Sequence, residues 1–316
     1  MIPSLNSIVG RLHAKQLRLL AALGDHGSLL NAAREVSMSQ PGASKALREI
    51  ESIFGVELFV RTNRGLEPNA AGHCVIRYAR LFQSDMAHLR DELLGVMRGF
   101  GGRVSAGTIM GAVPLLTDAI NWLLSEQPQM SVEVLEDASA TLLGLLDEGR
   151  IDLALCRTSV SRSPELYLSV VVQEETLAVI ASTKHRLADA KQLELAGLEG
   201  AHWVVYRANM PIRLLLEREF HEAGLRLPVH LVETTSAFTT MSLLQTNPTF
   251  VTMLPVAVAD FCTNQGWATK LALAVTSRSK PYELVTRQGA PVSPGAQLLI
   301  NALTRARSTE SAKPER

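Results

Sequence analysis

The feature that most restricts the fold of this 316-residue chain is a long apolar heptad within residues 70–98. Its apolar positions recur after alternating steps of three and four residues for three repeats, which is typical of a coiled coil and therefore predicts a dimer. An amphipathic helix packed on its own domain is the alternative interpretation. Asn69 can cap the helix, and residues 99–102, Gly-Phe-Gly-Gly, predict a hinge after it. The heptad positions are Val75, Tyr78/Ala79, Phe82, Met86, Leu89, Leu93 and Val96/Met97.

Three short helices are predicted before the heptad, at residues 15–23, 29–35 and 40–54. Ser28 and Ser39 precede the second and third helices, where a hydroxyl side chain can cap the first turn. Pro41 lies in the first turn of the third helix, a position that tolerates proline. The apolar stripe of that helix is Ala43, Leu47, Ile50 and Ile53/Phe54.

The outward face of the third helix has side chains that can read DNA bases. A helix, a turn and a second helix with a polar outer face form a helix-turn-helix. Glutamine pairs with adenine, lysine or arginine with guanine, serine with either, and Pro41 can touch a thymine methyl group. An ordinary solvated helix face is the alternative interpretation. The residues concerned are Ser39, Gln40, Pro41, Ser44, Lys45 and Arg48.

A β-hairpin is predicted after these helices, from residues 56–60 and 65–67 around a polar turn. Arg61 and Arg64 lie in that turn. Arginine at the tip of a hairpin next to a recognition helix is suited to contact backbone phosphate or to enter the minor groove. The hairpin therefore predicts a wing.

The rest of the chain alternates strands with helices, which predicts parallel sheets with helices on both faces. About 200 residues is large for one sheet, so two α/β lobes are expected. The predicted helices are residues 114–127, 139–148, 211–223, 239–245 and 255–265. The predicted strands are residues 103–108, 131–136, 151–156, 167–173, 176–182, 202–206, 229–233, 249–253 and 282–286.

Three motifs in the first 61 residues closely resemble the N-terminal domain of LysR-type transcriptional regulators. They are LLNAA at 29–33, SQPGASKALREIE at 39–51 and FGVELFVR at 54–61, within a similarity that runs from His13 to Gly72. The resemblance implies a winged helix-turn-helix, a dimerising linker helix and a two-lobed α/β effector domain like a periplasmic binding protein. Members usually act as tetramers on paired promoter sites and often bend the DNA. On that pattern Gln40, Pro41, Ser44 and Lys45 match base-reading positions, and Arg61 or Arg64 matches a wing contact.

Two residues depart from the family pattern. Gly42 replaces the usual Ala or Pro, at a cost of roughly 1 kcal/mol for glycine inside a helix. Asn69 replaces the usual Thr, and either residue can cap the linker helix. About a dozen residues precede the usual start of the family.

The resemblance also implies an α+β multidomain organisation. We expect a DNA-binding domain at residues 1–69, a linker helix and hinge at 70–103, an effector domain at 104–306 and a disordered tail at 307–316. The two lobes are joined by crossover strands near residues 173–176 and 277–281. Lobe one is then about 104–174 with 281–306, and lobe two is about 175–280.

Effector-binding residues are expected where strands end and helices begin, because clefts in such sheets open there. Arg213 is a candidate anion partner, and its alternative is a salt bridge with Glu217 four residues on. Each candidate could instead be an ordinary loop or cap residue. The loops around 108–112 and 206–213 look similar to the sub-group of sugar-binding-protein regulators, which implies a sugar, a sugar acid or an aromatic acid as effector. The candidates are Met110, Gly111, Thr158, Arg213 and Ser236.

Composition and the absence of certain motifs argue against several other classes of protein. The chain has 31 Lys and Arg against 31 Asp and Glu, which excludes a uniformly basic coat for nucleic acid. Its three cysteines are far apart and no histidines have metal-ligand spacing, so neither a disulfide scaffold, a metal site nor a cofactor is expected. We find no GxSxG, HExxH or P-loop motif. The S-x-x-K pattern at residues 277–280 lacks the other motifs of acyl-serine enzymes, so no enzyme is predicted.

The sequence as a whole predicts a ligand-responsive transcriptional regulator. The expected partners are promoter DNA, a small effector and RNA polymerase, with dimers formed through the linker helix and tetramers formed from dimers. No signal peptide or membrane helix is recognised, so a cytoplasmic protein is expected. A solute-binding module without a DNA role is the alternative function. Residues 39–50 and the heptad argue against that alternative.

Overall fold

The structure is a computed structural model, and it describes residues 2–62, 65–98, 102–208, 210–229 and 231–311. The chain forms two compact units. The first comprises Met1–Gly102 with Gly144–Ile151, and the second comprises Arg103–Leu143 with Asp152–Arg316. No helix among the described residues is long and apolar enough to cross a membrane.

The first unit contains the predicted helices and the predicted hairpin. Ser28 and Ser39 cap their helices as expected, because their hydroxyls accept from Asn31 N and Gly42 N. Gly27 and Gly55 end two of the helices in the left-handed conformation, at φ 56° and 70°. The elements are α1 Leu5–Val9, α2 Ala14–His26, α3 Leu29–Glu35, α4 Gln40–Phe54, β1 Phe59–Thr62, β2 Gly65–Pro68 and α5 Ala70–Arg98.

One apolar core joins α2, α3 and α4 to the start of α5. Ala43, Leu47 and Ile50 of the predicted stripe of α4 are buried in it, together with Ala46, which was not predicted, and the half-buried Phe54 packs against it. Ile76 and Ala79 of α5 belong to the same core. Asn69 fixes the start of α5, since its Oδ1 accepts from Gly72 N at 2.9 Å and its Nδ2 donates to Glu57 O at 2.8 Å. The beginning of α5 is therefore part of the N-terminal helical core.

The apolar side chains further along α5 are exposed in the single chain. Phe82 is 37% exposed, Leu93 53% and Met97 81%. The interpretation of a helix packed on its own domain therefore holds for the first turns of α5. The later turns leave an apolar stripe exposed, as the coiled-coil interpretation requires. Residues 99–101 of the predicted hinge at 99–102 lie outside the described residues, as does the side chain of Val96.

The second unit contains two five-stranded sheets. The first sheet has the order β4-β3-β5-β12-β6 and the second has the order β11-β7-β10-β8-β9. The first comprises β3 Arg103–Thr108, β4 Ser131–Glu136, β5 Leu153–Cys156, β6 Tyr167–Glu175 and β12 Ser279–Arg287. The second comprises β7 Leu177–Ala181, β8 His202–Val205, β9 Leu231–Glu233, β10 Phe250–Pro255 and β11 Thr269–Lys270. The helices that follow α5 along the chain are α6 Val113–Glu126, α7 Ser139–Asp147, α8 Pro211–Glu222, α9 Ala237–Thr246, α10 Val256–Asn264 and α11 Pro294–Ser311.

The predicted parallel pairing is present in both sheets, where β3 pairs with β4 and β5 and where β8 pairs with β9 and β10, but both sheets also contain antiparallel strands. β12 pairs antiparallel with both β5 and β6, and β7 pairs antiparallel with β10 and β11. The reason is the path of the chain, which passes from β6 directly into β7 and returns from the second sheet into β12. Strands that follow such a crossover enter the sheet in the reverse direction, and strand patterns alone do not encode this.

The C-terminal end also differs from expectation. Residues 307–311, assigned to a disordered tail, continue α11, while residues 312–316 lie outside the described part. Arg307 Nη1 donates to Val171 O at 2.9 Å, which ties this helix to β6. Because α11 packs against α6, tertiary contacts stabilise this helix, which was not predicted from the sequence.

Candidate DNA interface and effector site

The N-terminal half of α4 presents its predicted base-reading side chains to solvent, apart from the half-buried Ser44. Ser39 also has a structural task, because its Oγ accepts from Gly42 N at 3.2 Å. The Lys45 side chain is 77% exposed and lies 3.8 Å from Glu49. Arg48 Nε donates to Ser44 O at 3.3 Å. The face thus combines an exposed amide, a hydroxyl and two cations, which is a donor set suited to base edges and phosphates.

The hairpin forms as an antiparallel pair that runs from Phe59 opposite Pro68 to Thr62 opposite Gly65. Arg61 lies on β1 and is exposed. Arg64, the other predicted wing residue, lies outside the described residues.

Met110 lies directly after β3, in a short 3₁₀ helix. Its sulfur accepts a hydrogen bond from Tyr206 Oη at 2.8 Å. Burial, and then the negative charge of Glu136, raises the pKa of Tyr206, so its hydroxyl stays protonated and available as a donor. Burial also raises the pKa of Glu136. These three side chains come from the ends of strands in both sheets and from the loop after β3.

Gly111 lies against the side chain of Glu175, so closely that a Cβ at this position would be 1.8 Å from Glu175 Oε1. Glu175 accepts from Arg157 Nη2 at 2.5 Å, and both side chains are only 11% exposed. Arg157 Nε donates to Lys280 O at 2.8 Å. This buried ion pair therefore links the loop after β5 to the ends of both crossover segments.

Thr158 begins a 3₁₀ helix directly after Arg157. Its amide and its hydroxyl donate to Glu283 Oε2 at 2.8 and 2.5 Å, while Ser169 Oγ donates to Glu283 Oε1 at 3.0 Å. Burial favours the neutral form of Glu283, but these hydrogen bonds outweigh it and lower its pKa. Burial and the charge of Glu283 raise the pKa of the neighbouring Cys156 thiol to about 12, which keeps that thiol protonated.

Arg213 and Ser236 have local partners. Arg213 Nε donates to Glu217 Oε1 at 2.7 Å, which is the ion pair foreseen as its alternative role, and its Nη1 lies 3.4 Å from Tyr206 O. Ser236 caps α9 by accepting from Thr239 N at 3.1 Å. The structure thus connects Met110 and Arg213 through Tyr206. Among the described residues, no hydrogen bond or ion pair joins Ser236 to the other candidates.

Several side chains of this region were missed as candidates in the sequence. The candidates predicted from the ends of strands do not include Glu136, Tyr206, Glu175 or Glu283. The available signal was their position, because Glu136 ends a strand and Glu175 lies at a predicted crossover. The sequence does not indicate that Glu175 pairs with Arg157 or that Glu283 pairs with Thr158, because the partners are 18 and 125 residues apart. Among the described residues, no group of three or more side chains is placed to hold a metal ion.

Two domain families match the chain and together cover most of it. Residues 14–73 match the bacterial regulatory helix-turn-helix protein family of the lysR type, and residues 98–308 match the LysR substrate binding domain. The resemblance found in the sequence is therefore confirmed.

Curated relatives and solved structures agree with these families. The regulator GbpR of Azospirillum brasilense is 30% identical over 95% of this chain and 88% of its own length. The regulator GalR of Pseudomonas putida is 30% identical over 91% of this chain and 72% of its own length. The crystal structure of full-length CbnR with its target DNA shares the fold, with a TM-score of 0.63 at 20% identity over 93% of this chain and all of that one.

The helix-turn-helix, the linker helix, the two-sheet C-terminal unit and these matches lead to one conclusion: the chain belongs to the LysR family of DNA-binding transcriptional regulators with an effector-binding domain.

Proposed function

We propose that this regulator reads an interrupted inverted repeat as a dimer and senses a small hydroxylated molecule between two lobes. The lobes are residues 104–174 with 281–306, and residues 175–280. The observation that carries the proposal is the junction at Met110 and Gly111, where side chains from both sheets meet through Tyr206 and Glu175. We assign no catalytic step to the chain, and we place it in the cytoplasm because promoter DNA is there.

The proposed DNA contacts lie at the start of α4 and on the wing. They are Ser39, Gln40, Pro41, Ser44, Lys45, Arg48, Arg61 and Arg64. Exposure of the α4 side chains supports a role in base reading, and the hairpin geometry supports a wing contact by Arg61. Dimer formation through α5 is supported by its exposed apolar stripe. We propose tetramers of two such dimers, with RNA polymerase as the further partner at the promoter.

The electrostatics of the proposed cleft favour a sugar over a sugar acid or an aromatic acid. Its two buried arginines are already paired, Arg157 with Glu175 and Arg213 with Glu217, so their positive charges are compensated and attract an anionic ligand less than unpaired arginines would. Carboxylates of Glu136, Glu175 and Glu283 can instead accept hydrogen bonds from sugar hydroxyls. Of the five proposed contacts, Met110, Gly111 and Thr158 lie nearest to these carboxylates, while Arg213 and Ser236 keep their local partners.

Ligand binding must favour one arrangement of the lobes to act as a signal. A ligand that binds two conformations equally shifts nothing, however tightly it binds. We propose that closure between the lobes changes the placement of dimers within a tetramer, and thereby the bending of DNA.

The first test is a footprint of the purified protein on the DNA upstream of its own gene at low and moderate salt. We expect protection of a region that contains an inverted repeat and that persists in the higher salt. Protection that disappears with salt and has no fixed position would mean attraction to phosphate alone, and would contradict base reading at this site.

The effector class is tested by thermal unfolding with a hexose, its uronic acid and benzoate. A ligand at 100 times its Kd stabilises the protein by about 2.7 kcal/mol, which is readily detected. We expect hexoses to stabilise the protein more than the matched uronic acids. Stabilisation by carboxylates alone would overturn the assignment to a neutral sugar.

A further inference from the structure

Residues 2–13, the leader, form a structured segment that lies outside the matched family domain. The family match starts at residue 14, whereas α1 already forms at Leu5–Val9. Ser4 caps this helix by accepting from Ser7 N at 3.4 Å. Because α1 packs against α4, the leader lies beside the proposed recognition helix.

Backbone hydrogen bonds close the turn that follows α1, and His13 then begins α2. Arg11 N and Leu12 N both donate to Ile8 O, at 3.1 and 2.9 Å. His13 then caps α2 in a reciprocal arrangement, in which Gln16 Oε1 accepts from His13 N at 2.9 Å. The backbone at Arg11 is therefore fixed at both ends, between the turn after α1 and the first turn of α2.

An open groove of about 750 Å³ separates this turn from the exposed side of α4. Arg11 and His13 line one wall, and Lys45, Arg48 and Glu49 line the other. The side chain of Arg11 is exposed and has no ion pair or side-chain hydrogen bond with any described residue. Three cations against one carboxylate give the groove a net positive charge, which suits an anion.

We propose that this groove takes a phosphate of the DNA backbone, and that Arg11 is a leader-borne phosphate contact beside the recognition helix. Phosphates flank the major groove that a recognition helix enters, so a cation next to Lys45 and Arg48 lies where backbone phosphates pass. A phosphate contact positions the protein without reading sequence. The proposal rests on α4 being the DNA-reading helix.

The test is the salt dependence of binding of the full chain to a duplex of random sequence, measured by fluorescence anisotropy between about 50 and 200 mM salt. We expect Arg11→Ala to reduce the slope of log affinity against log salt by about 0.9 for each copy of Arg11 on the DNA. At 0.1 M salt the affinity falls on the order of 10-fold per copy, and Arg11→Lys, which keeps the charge, restores most of it.

Arg218→Ala is the matched control, since it removes one exposed arginine from the second unit. We expect its salt slope to equal that of the wild type. If Arg11→Ala and Arg218→Ala both leave the slope unchanged while Lys45→Ala weakens binding, the leader contact is wrong and the recognition helix stands. If the wild type does not bind DNA, both the leader contact and the proposed reading of DNA by α4 fail.

Discussion

At the scale of single residues, buried and half-buried charges of the second unit are matched by partners far away in the chain. Arg157 pairs with Glu175, and the Glu283 carboxylate accepts from Thr158 and Ser169. A buried charge is costly unless it is paired and hydrogen-bonded. Removal of one partner is therefore expected to cost more than the intact interaction contributes.

Gly111→Ala is expected to lower the free energy of unfolding of the second unit by about 1–3 kcal/mol. The new Cβ would lie 1.8 Å from Glu175 Oε1, so Glu175 must move away from Arg157. Chemical denaturation followed by tryptophan fluorescence measures the change. Gly144→Ala is the control, because its Cβ would meet nothing within 4 Å and alanine is favoured in a helix by up to about 1 kcal/mol. Equal stability of the two variants would contradict the close packing at Gly111.

Lys45→Ala is expected to weaken binding to the specific site by about 1–3 kcal/mol, which is the range for a side chain that reads a base. Its affinity for unrelated DNA should fall less. Competition binding with specific and random duplexes measures both quantities. Lys184→Ala removes an exposed lysine of the second unit and serves as the control. An unchanged ratio of specific to random affinity in Lys45→Ala would show that Lys45 does not read a base.

At the scale of elements, α5 has two different surroundings along its length. Ile76 and Ala79 are buried in the DNA-binding core, whereas Met86, Leu89 and Leu93 are 45–53% exposed. Exposed apolar side chains in a heptad are typical of a helix that packs against a second copy of itself.

The double substitution Leu89→Glu with Leu93→Glu is expected to convert the protein to monomers. It removes four leucines from the pair of helices, each contributing roughly 1.5–3 kcal/mol when buried, and it places four like charges in the seam. The dimer Kd should rise by at least three orders of magnitude. Sedimentation equilibrium measures the mass, and circular dichroism checks that the subunit remains folded.

Ala87→Glu is the control for the double substitution, because Ala87 is exposed and lies off the apolar stripe of α5. We expect it to leave the dimer intact. A dimer that persists in the double variant would show that α5 is not the dimer contact.

A helix can be predicted from the sequence when the interactions that fix it lie between residues close together in the chain. The caps at Ser28 and Ser39 and the stripe of α4 follow from neighbours within one or two turns, so the sequence predicted them. α11 was missed because its stability comes from packing on α6, which lies more than 160 residues earlier.

At the scale of the whole molecule, the second unit depends on segments that join its two sheets. Ser277 N donates to Glu219 Oε1 at 2.5 Å, and Thr276 Oγ1 donates to the same oxygen at 3.0 Å. These contacts tie the returning segment to α8. Burial favours the neutral form of Glu219, but the hydrogen bonds outweigh it and lower its pKa below the ordinary value of 4.5.

Glu219→Gln is expected to cost about 1 kcal/mol of stability at pH 7, the low end for hydrogen bonds to a partly exposed charged group. Because the folded-state pKa is lowered, the contribution of Glu219 is present above the ordinary pKa and is lost as pH falls through the folded value. The difference between wild type and variant should therefore shrink between pH 5 and pH 3. Denaturation at several pH values measures it.

Glu199→Gln is the control for this pH dependence, since Glu199 is exposed in a loop. We expect it to follow the wild type throughout the pH range. A constant difference for Glu219→Gln at all pH values would contradict a stabilising role for the ionised carboxylate.

The sequence by itself determined the order of domains, the family, the helices with their caps and the candidate DNA-reading face, because each depends on spacing within a few turns of chain. Only the tertiary structure decided that β12 enters its sheet antiparallel, that Glu175 pairs with Arg157 and that Arg11 lies across a groove from Lys45. Such pairs are 18 to more than 120 residues apart or lie on separate elements. They form when the chain crosses between sheets and helices pack, and no local pattern records which distant partner each side chain meets.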